Sequence, residues 1–208
     1  KFQNKLIFSD TETTGKDPKD FIQIIQSASV VTDQNYNIQD SMNVSCAPLP
    51  WVVPSPGAYL THKKIETLSS SETHYQMMKT IHGQWKNWSN DGPALFITYN
   101  GHNFDEELYR RQFFWNLLDP FITNTNGNGR SDLLMLTRLF SQLFPKMIDF
   151  EINTNGYPVC SLSSVADRIG IDTANAHDAL SDCIFMIELL NFFHLSAEKL
   201  VTDFLSQG

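Results

Sequence analysis

Apolar positions fall into short runs early in the chain and into helical periodicity later. The run Lys5 to Phe8 enters Ser9-Asp10-Thr11-Glu12, which predicts a strand whose C-terminal edge carries two acids. Ile22 to Val31 is rich in Ile, Val and Ala and alternates as a second strand does, with Met42 to Cys46 a candidate third. Pro48, Pro50, Pro54, Pro56 and Gly57 make the stretch from Ala47 to Gly57 a loop.

Beyond that loop the period changes. Ser69 followed by Glu72 matches a capping box, and Tyr75, Met78, Ile81, Trp85 and Trp88 then share one helical face. Asp91-Gly92-Pro93 ends this element, and Ala94 to Tyr99 reads as a buried strand. A helix is expected from near Asn103 to about Leu118, then a polar loop from Asn124 to Gly129. Ser131 or Asp132 caps a helix with Leu133, Leu136, Phe140 and Leu143 on one face, stopped by Pro145. Asn155-Gly156 marks a turn, and Ser163 to Ile169 a short helix closed by Gly170. From Asp178 onward, Leu180, Cys183, Ile184, Ile187 and Leu190 predict an amphipathic helix, followed by a terminal one. Strands that lead and helices that dominate later imply a mixed sheet packed by helices, in the α/β class.

Composition narrows this picture. The 208 residues suit one domain over 1–208 that can bury a core without staples. No apolar run approaches the length that crosses a bilayer, so no membrane partner is expected, and the start at Lys1 to Phe8 lacks the shape of a signal peptide. Cys46, Cys160 and Cys183 are odd in number and form no C-x-x-C pair, which reads as buried small hydrophobes in a reducing compartment; a cytoplasmic location is expected. The formal net charge of −8 argues against gripping nucleic acid by bulk electrostatics. A carboxylate cluster that holds divalent cations counts as strongly negative in such a tally, so the acidic balance decides little.

Three segments carry candidate chemistry. Asp10-Thr11-Glu12-Thr13-Thr14-Gly15 places two acids two apart on a strand, and therefore on one face. Two hard carboxylates aimed at one point suit Mg²⁺ or Mn²⁺, although a bare D-x-E is usually a solvated strand edge. Asn100-Gly101-His102-Asn103-Phe104-Asp105 follows a predicted strand and opens a helix. Asp105 there is either ordinary helix-start charge or a ligand at the sheet's edge, where α/β folds place their sites. His177-Asp178-Ala179-Leu180-Ser181-Asp182 fixes Asp182 in the first turns of a helix and leaves His177 at its mobile start. An imidazole is suited to accept a proton near neutrality, yet most histidines beside a helix start are structural or simply exposed.

In this order the three segments resemble the DEDDh exonucleases of the DnaQ-like, RNase H-like superfamily. Asp10 and Glu12 match the acids of the first motif, Asp105 that of the second and Asp182 that of the third. His177, five residues before Asp182, matches the general base of the histidine subclass; the tyrosine subclass would have Tyr where this chain has Asp178. Within the superfamily the chain is most similar to the nuclease domain of bacterial exodeoxyribonuclease I. The similar stretches are Gln26 through Asn37, Pro56-Gly57-Ala58, Tyr99 through Glu107, Asp119-Pro120, Asp132-Leu133-Leu134 and Asn175 through Ala179.

The resemblance implies an RNase H-like mixed central sheet flanked by helices, and 3′→5′ hydrolysis of single-stranded DNA, preferred over RNA, to nucleoside 5′-monophosphates. It also implies two Mg²⁺ ions, with Mn²⁺ able to substitute, held by Asp10, Glu12, Asp105 and Asp182, with His177 as base. Thr13, Thr14 and Asn103 are substrate-contact candidates by motif position. His62, Lys63 and Lys64 follow the Pro-rich loop and are either phosphate contacts or a solvated helix start. Arg110, Arg111 and Arg130 have nothing local to set them apart from surface charge. Exodeoxyribonuclease I continues into an SH3-like and a helical domain, neither of which this chain contains, so high processivity is not expected of it. The rival readings are an exoribonuclease of the oligoribonuclease or RNase T kind, a polymerase-associated proofreading module, and a pseudo-nuclease scaffold.

Overall fold

The structure is a computed structural model that describes residues 5–17 and 21–208; the first part of the Lys1 to Phe8 start therefore lies outside the described residues. Five strands form one mixed sheet in the order β3-β2-β1-β4-β5. They are β1 (Lys5–Thr13), β2 (Ile24–Thr32), β3 (Ile38–Ser45), β4 (Ala94–Thr98) and β5 (Gly129–Asp132). β2 runs antiparallel to both β1 and β3, whereas β1, β4 and β5 are parallel.

Alternation along β1 sorts its side chains onto two cores. Leu6 and Phe8 point with Ala28, Val30, Leu95 and Ile97 into one core, closed by α4 (Leu133–Leu143), α5 (Leu162–Arg168), α6 (Ala179–Ser196) and α7 (Glu198–Leu205). Ile7 points with Ile24, Val31 and Phe96 into the other, beneath α2 (His74–Trp88) and α3 (Asp105–Trp115). Residues of β2 are buried on both faces, so its Ile- and Val-rich run reflects a strand covered twice rather than a half-wet one. Phe8, fully buried at the centre, illustrates the scale: truncating such a residue to Ala typically costs about 3–5 kcal/mol.

Several expectations are corrected. α2 is capped by Thr73, not Ser69: Thr73 Oγ1 accepts from the Gln76 amide and the Gln76 side chain accepts from the Thr73 amide. Ser69 instead ends a 3₁₀ helix over Ile65–Ser69. Tyr75 consequently turns outward, 50% exposed, and Met77 joins Met78, Ile81, Trp85 and Trp88 in the core. α3 starts at Asp105, after a 3₁₀ turn over Gly101–Asn103, and stops at Trp115 because Leu117 takes a left-handed conformation. Leu143 lies on the exposed side of α4. Pro56–His62 forms a short helix, α1, so His62 and Lys63 sit at a helix end rather than a start. β5 lies where only loop and cap were expected, since its four residues carry no strand-like apolar pattern.

α6 departs most. Besides Cys183, Ile187 and Leu190, it buries Phe185, Met186, Leu189 and Phe193, because the sheet, α5 and α7 surround it. By length and composition alone this 18-residue helix is apolar enough to cross a membrane. Here it lies across β1 and β2 as the central helix of a protein core, where the Cys183 thiol donates to the carbonyls of Phe8 and Ala28.

Candidate active site

β1 outruns its parallel neighbour. Pairing with β4 ends at Phe8, while pairing with β2 continues through Asp10 and Glu12, opposite Ala28 and Gln26. The last residues of β1 thus lie open on the side where β4 has stopped, at the carboxyl ends of the parallel strands, where open α/β sheets place their ligands. Asp10 and Glu12 project from the face covered by α6, and Asp182 in the first turn of that helix meets them. Oxygens of Asp10, Glu12 and Asp182 lie within 4.8 Å of one another.

Asp105 approaches differently. It opens α3, is only 6% exposed, and accepts a hydrogen bond from Thr11 Oγ1. It stands outside the tight three-carboxylate group, yet its charge is the largest single electrostatic influence on Asp10. Asp132 holds the turn that leads to it. Its buried carboxylate accepts from the backbone amides of Asn100, at 2.8 Å, of His102, at 3.3 Å, and of Leu134, at 3.0 Å. Gly101 must be glycine there, because a Cβ would lie 2.3 Å from Thr98 Oγ1.

Burial and crowding raise all four acids. Burial, then repulsion by Asp105, Asp182 and Glu12, pushes the Asp10 carboxyl well above the usual carboxylate range. Burial followed by Asp182 raises Glu12 to about 8, with the Lys64 ammonium opposing. Burial raises Asp105 to about 6 against the Thr11 hydrogen bond, and raises Asp182 to about 6 against a hydrogen bond from the His177 backbone. Oxygen donors converging from two elements, made reluctant to ionise by burial and, at Asp10 and Glu12, by the neighbouring acids, fit a divalent cation whose charge would relieve that cost.

The remaining candidates divide. His177 is exposed and left-handed, with φ 67°, at the turn before α6. Asn103 is exposed beside Asp105. The hydroxyls of Thr13 and Thr14 are used internally, toward the Gly15 carbonyl and the Gln23 amide. His62 is also corrected as a free phosphate contact: it is 6% exposed, and burial lowers its basicity. Its Nδ1 accepts from the Lys64 amide, which leaves Nε2 to donate to the Thr13 carbonyl at 3.2 Å. Arg111 pairs with Glu107, and Arg130 pairs with the buried carboxylate of Glu106. Sequence reasoning missed Thr11, Gln26 and the roles of Asp132 and Asp178, whose contacts come from remote segments. It also missed a cleft of about 580 Å³ beside Asn100, lined by Tyr99, Arg138, Tyr157 and Ser161 among others.

The sheet order and its helical layers make the RNase H-like fold of DnaQ-like exonucleases. No family model matches the chain. The particular resemblance is to exodeoxyribonuclease I. The chain is 34% identical over 185 residues to that enzyme from Buchnera aphidicola subsp. Schizaphis graminum, and 30% identical over 186 residues to the Escherichia coli enzyme. These alignments cover 86% and 88% of the chain but only 37% and 38% of the relatives, so the chain spans well under half their length. It superposes with a TM-score of 0.86, at 27% identity, on a zinc-bound E. coli exonuclease I–single-stranded DNA complex, covering 96% of this chain and 42% of that one. The same enzyme in complex with a dA16 oligonucleotide gives a TM-score of 0.86 at 28% identity, with equal coverage.

Proposed function

We propose that this chain is a metal-dependent 3′→5′ exonuclease that hydrolyses single-stranded DNA to nucleoside 5′-monophosphates. The observation that carries the reading is the convergence of Asp10, Glu12 and Asp182, with Asp105 alongside, at the open end of β1 in an exodeoxyribonuclease I-like fold. Asp10, Glu12, Asp105 and Asp182 are the residues that would hold two Mg²⁺ ions, or Mn²⁺ in their place. Bound there, the cations supply Lewis acidity toward water and neutralise charge on the phosphodiester and its leaving 3′ oxygen.

The chain's own groups do the rest. The four carboxylates sit on a rigid strand and two helices, so cations held there would meet the reacting phosphate with little reorganisation as charge develops. His177, exposed at the turn before Asp182, accepts the proton of the attacking water. Asn103, exposed beside Asp105, contacts the terminal nucleotide. Thr13 and Thr14 contribute by shaping the end of β1, their hydroxyls being held within the fold. The cleft beside Asn100 offers Arg138 to a phosphate and the exposed Tyr157 to a base.

The test uses matched 3′- and 5′-labelled single-stranded DNA, duplex DNA and RNA, with Mg²⁺, Mn²⁺ or EDTA. Stepwise loss from the 3′ end of single-stranded DNA, abolished by EDTA and by Asp182→Ala, is expected. His177→Ala should lower the rate by about 10²–10⁴, the usual worth of a general base. Preferential digestion of RNA would instead make the protein an exoribonuclease, and full activity of Asp182→Ala would remove the carboxylates from catalysis.

A further inference from the structure

Lys64 lies outside the carboxylate group, yet it is tied to both halves of the site. Its backbone amide donates to His62 Nδ1, and His62 Nε2 donates to the Thr13 carbonyl at the end of β1. Lys63, in the left-handed conformation that ends α1, turns the chain so that Lys64 can point back across the site. The Lys64 ammonium then donates to Asp178 Oδ1, with both side chains largely buried at 19% and 29% exposure. Gln26 Nε2, on the strand residue opposite Glu12, donates to the same oxygen at 3.3 Å.

The other oxygen of Asp178 serves α6. Asp178 Oδ2 accepts from the backbone amide and hydroxyl of Ser181, both at 3.2 Å, and the Asp178 carbonyl accepts from the Asp182 amide. One carboxylate thereby joins α6, β2 and the 62–64 turn. The residue before it is His177, whose left-handed backbone is an uncommon conformation for a non-glycine residue and must be held by its surroundings.

We infer that the His62–Lys64 turn is a strut, with Lys64 a positioning residue that holds Asp178 and so aims His177 at the site. Lys64 acts through Asp178 and not by touching substrate. An ion pair this sheltered from water is worth more than a surface pair, and removing one partner leaves the other charge without its counter-ion. The inference rests on the exonuclease reading for its kinetic consequence but not for its structural one.

The experiment compares wild type with Lys64→Met, which keeps the stem and removes the charge, and with Lys64→Arg, which restores it. Hydrogen exchange of the amides in residues 173–178 should accelerate in Lys64→Met and recover in Lys64→Arg. Unchanged exchange there overturns the strut whether or not the protein cleaves DNA. On single-stranded DNA, Lys64→Met should lower kcat by roughly 10–100-fold, the usual effect of losing a partner that orients a site group, with KM little altered. In a His177→Ala background the same substitution should have almost no further effect on kcat. A loss confined to KM overturns the positioning role and makes Lys64 a phosphate contact, and a kcat loss that persists in full without His177 overturns it and makes Lys64 a counter-charge to Glu12. A wild-type protein that cleaves nothing, with exchange altered as expected, would sink the exonuclease reading and leave the strut standing.

Discussion

At the scale of single residues, the site is legible wherever its geometry is local. Asp10 and Glu12 share a face because strand side chains alternate, and that needs nothing beyond the chain's own period. The internal bonds of Thr13, Thr14 and His62 were not legible, because their partners, Gly15, Gln23, Lys64 and the Thr13 carbonyl, become visible only when the turns close. Asp132 is the sharpest case. Its sequence position announces a helix cap, and it does cap α4 through the Leu134 amide, but it also holds the Asn100 and His102 amides ahead of Asp105. Asp132→Ala would leave the buried Leu134 amide and the part-buried Asn100 and His102 amides without their acceptor, each hydrogen bond to a charged group being worth about 1.5–3 kcal/mol. We expect a loss of roughly 3–5 kcal/mol in the urea unfolding free energy, with Asp132→Asn losing less because it keeps one acceptor oxygen. A loss below about 1 kcal/mol would mean that the turn before Asp105 is held by something else.

At the scale of elements, the periodic segments were readable and the short or doubly covered ones were not. α2 was anticipated from its aromatic and apolar face, but its start was placed at the wrong one of two similar signals. Ser69-Ser70-Ser71-Glu72 and Thr73-His74-Tyr75-Gln76 both fit a capping box, and only the second coincides with the first hydrogen-bonded turn. β5 has four residues and no apolar alternation; it is a strand because β4 offers it an edge to pair with. α6 has apolar side chains around most of its circumference because the sheet and two helices enclose it, and a one-face reading underestimates such a helix. The two cap sequences make a direct test. Thr73→Ala should destabilise the protein by about 1 kcal/mol, the usual worth of an N-cap, while Ser69→Ala should change stability by less than about 0.5 kcal/mol. Equal effects in urea denaturation would mean that the cap of α2 does not decide its stability.

For the whole molecule, a site built from buried, crowded acids sets the dependence of stability on pH. A carboxyl whose pKa is raised by folding binds its proton more tightly in the native state. Its stabilising contribution is therefore present at low pH and is lost as pH rises through the folded value. Asp105 and Asp182, raised to about 6, lose theirs first, and Glu12, raised to about 8, loses it last. His62, His74 and His82 act in the opposite sense: burial lowers their pKa values, so the native state gains stability as pH rises toward their ordinary value of about 6.5. Above that value these histidines are neutral in both states, which leaves the carboxylates to govern the window from about pH 6.5 to 8. The metal-free protein should accordingly show a falling Tm across this window, measured in EDTA. Asp10→Asn, which removes one charge from the cluster, should flatten the slope and raise the Tm at pH 8. Saturating Mg²⁺ or Mn²⁺ should abolish the fall in wild type and have little effect on Asp10→Asn, because a cation that binds only the native state stabilises it in proportion to its affinity. A Tm in EDTA that stays level from pH 6.5 to 8 would show that burial and crowding do not raise these acids in the native state, and a Mg²⁺ effect of equal size in both proteins would show that the cations bind elsewhere.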